Sequence, residues 1–417
     1  MIRYFYISFL LVVGLQAEAQ VPGFDPYLPQ KMSDTWKFAA DLYFADESNS
    51  NAFSNDFVRK VNGSEYLDEQ IKNDQLDKLS GSSLTGSIRE IGGNLWLRKN
   101  NMFYQLGLEH QHVLDAAIDE DLLKLLLTGN RPYAGETLEA PSSDYLSIYF
   151  TQLRLGLGLI ADNNGLTHTF SAHIAINAGQ NYDELSITDA SFYTDPLGDH
   201  LDIRISSDVR LSDTAWAEIT EISGLGASAG IFYSLLKEKD YYFAATIKNL
   251  GFINWNKNPF TASMDTAFTF EGLAMDTTGS NNDQLPDDFS YDNLRRLVFK
   301  YPEYNSFTTT LPAIIGITGG KYFSDGRYYA GLNAHIYPTL NALYRMQLFF
   351  TFNLQERIGI SPMVSFGSFN KLNAGLALKF NAGEHLIIRG GSSYLDSLFS
   401  KDALAGSGGF VSLVFVM

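Results

Sequence analysis

The feature that most constrains this fold is a strict alternation of apolar and polar residues along almost the whole chain. In segment 102–113, Met, Tyr and Leu occupy even positions, whereas Gln105, Gly107 and Glu109 occupy odd positions. In segment 145–159, leucines at odd positions 153 to 159 alternate with Gln152 and Arg154. A side-chain period of two is typical of β-strands that have one apolar and one polar face.

Fifteen segments of the chain share this alternation. They are Trp36–Phe44, Leu84–Leu97, Met102–Val113, Tyr145–Leu159, Leu166–Ala178, Leu201–Leu211, Leu225–Leu236, Tyr241–Asn249, Leu311–Phe323, Tyr328–Tyr337, Tyr344–Phe352, Ile358–Phe366, Asn373–Phe380, His385–Gly391 and Phe410–Met417. So many alternating strands predict an all-β fold, either a soluble β-sandwich or a closed antiparallel transmembrane β-barrel.

The composition favours the membrane barrel over the sandwich. Aromatic residues make up 14% of the 417 residues and charged residues only 18%, against roughly 25% charged residues in an average soluble domain. The formal net charge of −17 argues against a nucleic-acid partner, because phosphate binding needs basic residues. The absence of cysteine excludes thiolate metal sites and disulfide scaffolds.

The first nineteen residues have the pattern of a secretory signal peptide. Arg3 precedes the apolar run 7–15, and Ala17-Glu18-Ala19 fits the small-x-small cleavage pattern. We therefore expect residues 1–19 to be removed and residues 20–417 to form a single barrel domain. A run of nine apolar residues is too short for a transmembrane helix, which needs about 20.

Connection lengths support export to the outer membrane. Short connections rich in Asn, Asp and Gly join several strands, as at 99–101, 162–165 and 324–326, and these residues tolerate the positive φ of tight turns. Four other connections are long: 45–81, 114–143, 179–223 and 251–308. Short periplasmic turns opposite long extracellular loops are typical of outer-membrane barrels.

The strand count has two solutions, because fifteen strands is an odd number and single-chain bacterial barrels have even numbers. If 201–211 pairs with 185–193 in a hairpin outside the membrane, the barrel has about fourteen strands. If 185–193 is an extra spanning strand, sixteen are possible. The charged face of 201–211, which carries Asp202, Arg204 and Asp208, favours fourteen.

The long loops concentrate acidic charge and short helices. Together they hold 32 acidic and 12 basic residues, which form either a solvated surface or a surface that binds cations or protein partners. Helical spacing predicts helices at 119–128 and 290–301, and a weaker one at 66–79. We expect each helix to cap or plug a barrel mouth, and loop 45–81 or 251–308 to block the lumen.

The alternation also assigns side chains to the two faces of the barrel wall. Leu153, Leu155 and Leu157 are expected to face lipid. Four polar residues are predicted to face the lumen: Gln105, Glu109, Gln152 and Arg154. On this basis alone, we expect replacement of Arg154 by Leu to disturb folding less than replacement of Leu155 by Arg.

Signals for catalysis, cofactors and metals are weak, so no enzyme activity is predicted. Residues 226–230 match G-x-S-x-G, but Ser228 lies within an alternating strand instead of the strand-to-helix turn that this motif requires. His110 and His112 share a strand face that could bind a metal. They follow apolar outward positions, so the interface between lipid and water is the preferred place for them.

Four segments resemble an uncharacterised family of Bacteroidota outer-membrane barrels. They are Leu122–Glu136 (LLKLLLTGNRPYAGE), Ser191–Asp208 (SFYTDPLGDHLDIRISSD), Lys248–Asn256 (KNLGFINWN) and Leu311–Phe323 (LPAIIGITGGKYF). Such barrels are similar in outline to the long-chain fatty-acid transporters and to barrels of type IX secretion. The resemblance implies a monomeric outer-membrane barrel with a partly occluded lumen, and no catalytic residues.

Two functions follow as expectations. The first is a channel or transporter for small hydrophobic or amphipathic molecules. The second is a barrel that does not transport and acts as a partner in surface assembly or type IX-like secretion through its acidic loops. In either case outer-membrane lipid and the barrel-assembly machinery are the expected partners, and no cofactor is expected.

Overall fold

The computed structural model is built almost entirely of β-strands. It describes residues 36–62, 66–79, 81, 83–213, 221–270, 300–341, 344–354, 357–369, 372–398 and 404–417. The strands are β1 Phe38–Ser54, β2 Ser83–Lys99, β3 Met102–Ile118, β4 Thr137–Glu139, β5 Ser143–Asn163, β6 Leu166–Thr194, β7 Leu201–Leu211, β8 Gly224–Lys237, β9 Tyr241–Trp255, β10 Phe260–Phe270, β11 Lys300–Glu303, β12 Phe307–Thr310, β13 Ile314–Phe323, β14 Tyr328–Ile336, β15 Tyr344–Leu354, β16 Ile358–Gly367, β17 Asn373–Ala382, β18 Leu386–Ser392 and β19 Leu404–Val416.

Fourteen of these strands close into one antiparallel ring. Around the ring they follow the order β1, β2, β3, β5, β6, β8, β9, β13, β14, β15, β16, β17, β18 and β19. The last strand pairs with the first from Ala39–Val416 onward, which leaves no open edge in lipid. The predicted closed barrel of fourteen strands is confirmed.

The alternative of sixteen strands is wrong, because β7 lies outside the ring. It pairs with the outer half of β6, with Ser191 opposite Arg204, and on its other side with β10. Strand β6 runs for 29 residues, whereas a membrane strand needs about 9–11. Its outer half therefore continues beyond the membrane and carries a small extracellular sheet of β4, β7, β10 and β11.

Six short turns lie at one rim of the ring, and the four long connections lie at the other. The short turns join β2–β3, β5–β6, β8–β9, β13–β14, β15–β16 and β17–β18. Asn100, Asn164, Lys239 and Asp325 in these turns have positive φ, as two-residue hairpin turns require. In outer-membrane barrels the short turns face the periplasm, so we call this rim the periplasmic rim and the opposite one the extracellular rim.

Three short helices pack outside the wall, above the lipid-facing band. They are α1 Asn55–Asn62, α2 Glu69–Leu76 and α3 Glu120–Thr128, so the helices predicted at 66–79 and 119–128 are confirmed. Together they cover Ala116 and Ile118, which share the outward side of the unbulged strand β3 with Leu106 and Leu108. The helices therefore form an outer collar, whereas the sequence predicted that each would cap or plug a barrel mouth.

Two sequence predictions fall on residues that the structure does not describe. The signal peptide at 1–19 lies outside the described residues, and so does nearly all of the helix predicted at 290–301. Its last two positions, 300 and 301, belong to strand β11. No helix among the described residues is long and apolar enough to cross a membrane.

The barrel wall is packed by aromatic rings that lie over inward-facing glycines of nearby strands. A Cβ atom at Gly158 would lie 2.0 Å from the Phe103 ring, and one at Gly179 would lie 2.4 Å from the Trp255 ring. Such distances are far below van der Waals contact. Glycine at these positions lets large rings turn sideways along the wall, which brings the inner side chains of distant strands together.

Candidate functional site in the barrel interior

The four predicted lumen-facing residues lie side by side on β3 and β5, on the inner side of the wall. Their exposed fractions are 4% for Gln105, 0% for Glu109, 1% for Gln152 and 0% for Arg154. Glu109 pairs with Gln152 across the ladder, and the neighbouring Gly107 pairs with Arg154. The outward leucines 153, 155 and 157 remain 45–57% exposed.

A buried ion pair joins two of these residues. The Arg154 guanidinium contacts the Glu109 carboxylate, and both side chains are fully buried. Tyr43 on β1 donates its hydroxyl hydrogen to the same carboxylate. Arg154 also donates to the Tyr43 hydroxyl at 3.1 Å and to Asn94 Oδ1 at 3.2 Å. These contacts link β5 to β1 past the two intervening strands, β2 and β3.

A second ion pair crosses the lumen. Lys248 Nζ on β9 lies 3.6 Å from Glu90 Oε1 on β2, and both side chains are almost fully buried. Four strands of the ring, namely β3, β5, β6 and β8, separate β9 from β2. Two buried charges at this distance along the ring are paired only because the opposite walls approach each other.

Side-chain amides connect the two ion pairs. Gln152 donates to Asn249 Oδ1 at 3.1 Å, and Asn249 donates to Gln111 Oε1 at 3.0 Å. Gln111 in turn donates to Glu90 Oε1 at 3.2 Å. The residues Tyr43, Glu90, Asn94, Glu109, Gln111, Gln152, Arg154, Lys248 and Asn249 are hereafter the polar network.

The position of Asn249 depends on a β-bulge. Lys248 and Asn249 together oppose Gly230 where the register between β8 and β9 shifts, and Asn249 has a φ of +59°. Asn tolerates this left-handed conformation better than other residues that carry a side chain. Sequence reasoning missed both residues. Their signal was the adjacent polar pair that interrupts the alternation of β9.

A third ion pair closes the lumen near the extracellular rim. Arg345 on β15 contacts Glu47 on β1, and four strands of the ring lie between them. The Tyr394 hydroxyl donates to Glu47, and Ser393 accepts from Gln347 at 2.8 Å. Tyr394 and Ser393 belong to the connection after β18, which therefore folds inward.

An apolar cluster covers the polar network on its extracellular side. This upper cluster consists of Val113, Ile148, Phe150, Tyr182, Ile253, Trp255, Leu311, Ile314, Tyr337 and Leu340. Tyr337 and Leu340 come from the connection after β14, where the backbone N–H of Asn341 donates to Asp115 Oδ2 at 2.6 Å. The sequence suggested loop 45–81 or 251–308 as the plug. In the described residues, the short connections after β14 and β18 reach across the lumen.

The residues singled out for catalysis or metal binding do not form such sites. Ser228 donates to Asn177 Oδ1 at 3.2 Å and accepts from Gln152 of the polar network, so its hydrogen-bond partners are side-chain amides. His112 stacks on Tyr149 with ring centroids 3.8 Å apart, on the outward side of the wall. Among the described residues, no three His, Cys, Asp or Glu side chains lie close enough to hold a metal ion.

Solved structures resemble this chain at low identity. The Pseudomonas putida toluene transporter TodX is 7% identical, with 95% of this chain and 91% of that chain covered and a TM-score of 0.41. A Pseudomonas aeruginosa FadL homologue is 11% identical, with 91% and 89% covered and a TM-score of 0.36. The Escherichia coli outer membrane protease OmpT is 8% identical, with 93% and 99% covered and a TM-score of 0.21.

Sequence families give a more direct assignment. No curated protein matches the chain. A family described as a family of unknown function, DUF5723, matches residues 42–386, which include the polar network and thirteen of the fourteen ring strands in whole or in part. The chain is a closed antiparallel β-barrel of fourteen strands and belongs to this family of unknown function.

Proposed function

We propose that the protein is an outer-membrane channel or transporter for small hydrophobic or amphipathic molecules, with the polar network as its gate. The observation that carries this proposal is the buried polar network at membrane depth, in which the Lys248–Glu90 ion pair crosses the lumen and the Glu109–Arg154 pair joins two neighbouring strands beside it. Ionisable residues within a membrane protein are rare, and they mark substrate and ion pathways.

The energetics of the network support a role beyond structure. Burying two charges costs several kcal/mol per ion, and well-packed apolar residues of similar volume often stabilise a fold better than a buried ion pair. A barrel that only needed a filled interior is better served by apolar side chains. A network of charges and amides, in contrast, exchanges its partners for water or ligand groups when the lumen opens.

The order of layers along the lumen supports an amphipathic cargo. The apolar upper cluster lies on the extracellular side of the polar network. An apolar wall that includes Tyr329, Phe349, Met363 and Phe410 lines the side formed by β14 to β19. A molecule with one apolar and one polar part finds matching groups in each layer, whereas a strongly hydrated ion meets apolar surface first.

Conductance and uptake measurements test this proposal. We expect low conductance with rare openings in planar bilayers for the unaltered protein. Gln152→Ala and Asn249→Ala remove cross-lumen hydrogen bonds but retain both ion pairs, so the open fraction should rise. Leu155→Ala, on the lipid face, is the matched control and should leave conductance unchanged. Absence of both conductance and liposome uptake in every variant contradicts a transport function.

A second candidate is a barrel that does not transport and assists surface assembly or secretion. It is favoured by the extracellular sheet, in which β7 and β10 expose Asp202, Asp208 and Asp265. Crosslinking in cells through cysteines placed at these positions would identify a surface partner. In either role we expect export by cleavage before Gln20, outer-membrane lipid as surroundings, and insertion by the barrel-assembly machinery.

A further inference from the structure

We propose that the extracellular mouth selects small organic cations, and that Asp115 binds the cationic group when the turn formed by residues 337–341 moves aside. This inference rests on the proposed transport function and adds the charge of the cargo. It is carried by the turn, by the carboxylate that holds it, by the aromatic layer beside it and by the charge around the mouth.

The turn is built as a compact lid. Tyr337-Pro338-Thr339-Leu340 forms a β-turn in which the Leu340 N–H donates to the Tyr337 carbonyl at 3.2 Å. Proline at the second position fixes the φ that such a turn needs. Tyr337 and Leu340 are 7% and 6% exposed, whereas Pro338 and Thr339 at the tip are exposed. Two buried side chains therefore hold a tip that faces the extracellular solvent.

Asp115 is the charged group that holds this lid. Its side chain is 3% exposed, and Oδ2 accepts the backbone N–H of Asn341 at 2.6 Å across the lumen. The Asn341 amide, one of the groups that contact Asp115, is a neutral donor. An ammonium group makes shorter and stronger hydrogen bonds to a carboxylate than a neutral amide does, so an organic cation competes well for Asp115.

The aromatic residues of the upper cluster suit the same ligand. The Tyr182 ring lies 5.5 Å from the Trp255 ring and 5.7 Å from the Phe307 ring, measured between centroids. Faces of Trp and Tyr attract cations, most strongly where water is excluded. Trp255 is 0% exposed and Tyr182 is 5% exposed. Movement of Tyr337 and Leu340 out of the upper cluster opens these rings to an entering molecule.

Charge around the mouth favours cations before they reach the lid. Residues 179–213, all of which the structure describes, hold eight acidic and two basic residues. Within the extracellular sheet, Arg204 and Arg210 pair with Asp189 and Glu184, whereas Asp202 and Asp208 are exposed and bond Thr269 and Ser263. An excess of carboxylates at a mouth concentrates cations and repels anions.

A pair of probes of similar size and opposite charge tests the inference. Calorimetric titration of the full-length purified barrel in detergent with benzyltrimethylammonium chloride should show binding, and sodium benzenesulfonate should not bind. Asp115→Asn keeps an acceptor for Asn341 but removes the charge, and should weaken binding of the ammonium probe at least about tenfold. Asp74→Asn, at an exposed position on α2, is the matched control and should bind as the unaltered protein does.

Every outcome of this experiment either supports or overturns the inference. Equal binding of both probes, binding of neither, or unchanged affinity in Asp115→Asn overturns the inference. If Asp115→Asn does not fold, as judged by its gel mobility with and without heating, Leu340→Ala replaces it. That variant loosens the lid and should strengthen binding, and unchanged binding overturns the inference. Conductance without probe binding removes only this inference, whereas binding without conductance or uptake removes the proposed transport function.

Discussion

The two faces of the barrel wall differ in how their residues depend on one another. On β5, Leu153, Leu155 and Leu157 point outward and are 45–57% exposed. Between them, Gln152 and Arg154 point inward, are 1% and 0% exposed, and bond to residues on β1, β2 and β9. Adjacent residues of one strand thus have two environments. The outward environment does not involve distant strands, whereas the inward environment is formed by them.

This difference predicts where the effects of two substitutions on stability should be additive and where they should not. An outward side chain contacts lipid, so the effect of replacing it on stability should not depend on residues of distant strands. An inward residue of the polar network shares partners with residues far along the chain. Effects of mutations within one network of hydrogen bonds and ion pairs are coupled by about 0.5–3 kcal/mol. The predictions below test this contrast.

Removal of residues 410–417 should have the largest effect, because both faces exist only in a closed ring. β19 pairs with both β18 and β1, so its loss leaves two unpaired edges in lipid, each unsatisfied group costing several kcal/mol. We expect no folded barrel in membrane fractions and no band that shifts on heating.

Deletion of residues 265–285 is the control for this truncation. Residues 265–270 belong to β10, which pairs with β7 outside the ring, and 271–285 lie outside the described residues. The ring should therefore still close. Normal membrane levels of the protein without 410–417 would show that the ring closes by another route.

Replacement of Arg154 by Leu should have the next largest effect and tests the inner face. It leaves the fully buried Glu109 without its guanidinium partner, which costs about 3–5 kcal/mol. The structure thus reverses the milder effect expected from the sequence. The double variant Glu109→Leu with Arg154→Leu should recover most of the loss, as measured by urea unfolding in vesicles. Equal losses in the single and double variants would contradict coupling.

Replacement of Leu155 by Arg tests the outer face. Leu155 lies within the outward row of leucines 153 to 159, and a charge near the bilayer midplane costs about 2–4 kcal/mol. Leu159→Arg, at the end nearer the turn, should cost only about 0–1 kcal/mol. Labelling of single cysteines at 154 and 155 gives a second check. Reaction of position 154, but not 155, with lipid-soluble probes would overturn the assignment of faces.

Replacement of Gly158 by Ala tests the packing that brings the inner side chains together. The new Cβ would overlap the Phe103 ring, and overpacking of this kind costs about 1–3 kcal/mol. Gly319→Ala is the matched control, since its nearest neighbour lies 3.6 Å away and no loss of stability is expected. Both values come from urea unfolding, and similar losses in the two variants would argue against a special role for the ring over Gly158.

Acidification should have the smallest effect, and it should act on the outer collar. The Lys124 ammonium, 3.0 Å from Glu120, and the Gly81 N–H lower the pKa of Glu120 below its ordinary value. This carboxylate therefore stabilises α3 above its ordinary pKa, and the contribution is lost as pH falls through the lowered value. Hydrogen exchange in α3 should rise on acidification relative to Glu120→Gln at the same pH. Identical exchange in both proteins would contradict this.

The architecture could be predicted from the sequence because each signal is local. Alternation identified all fifteen segments, and turn residues placed the short connections. Parity and the charged face of 201–211 favoured fourteen strands, as found. In each case the relevant physics acts between neighbours in the chain, since a strand turns successive side chains to opposite faces.

The candidate site could be predicted only in part. Alternation placed Gln105, Glu109, Gln152 and Arg154 together on one side, and the structure has them there. Asn249 and Lys248 were missed because a bulge in β9 breaks the alternation. The inward turn 337–341 was missed because no local pattern shows whether a connection between two strands folds into the lumen.

The sequence by itself determined that the chain alternates, closes and spans a membrane with one apolar face, because these properties depend on spacing along each strand. Only the tertiary structure decided which inner residues meet. Glu90 and Lys248 are separated by more than 150 residues in the chain and by four strands in the ring, yet their charges lie 3.6 Å apart. Such a contact depends on the curvature of the whole ring and on how closely glycines and aromatic rings let its walls approach, and no local pattern contains that distance.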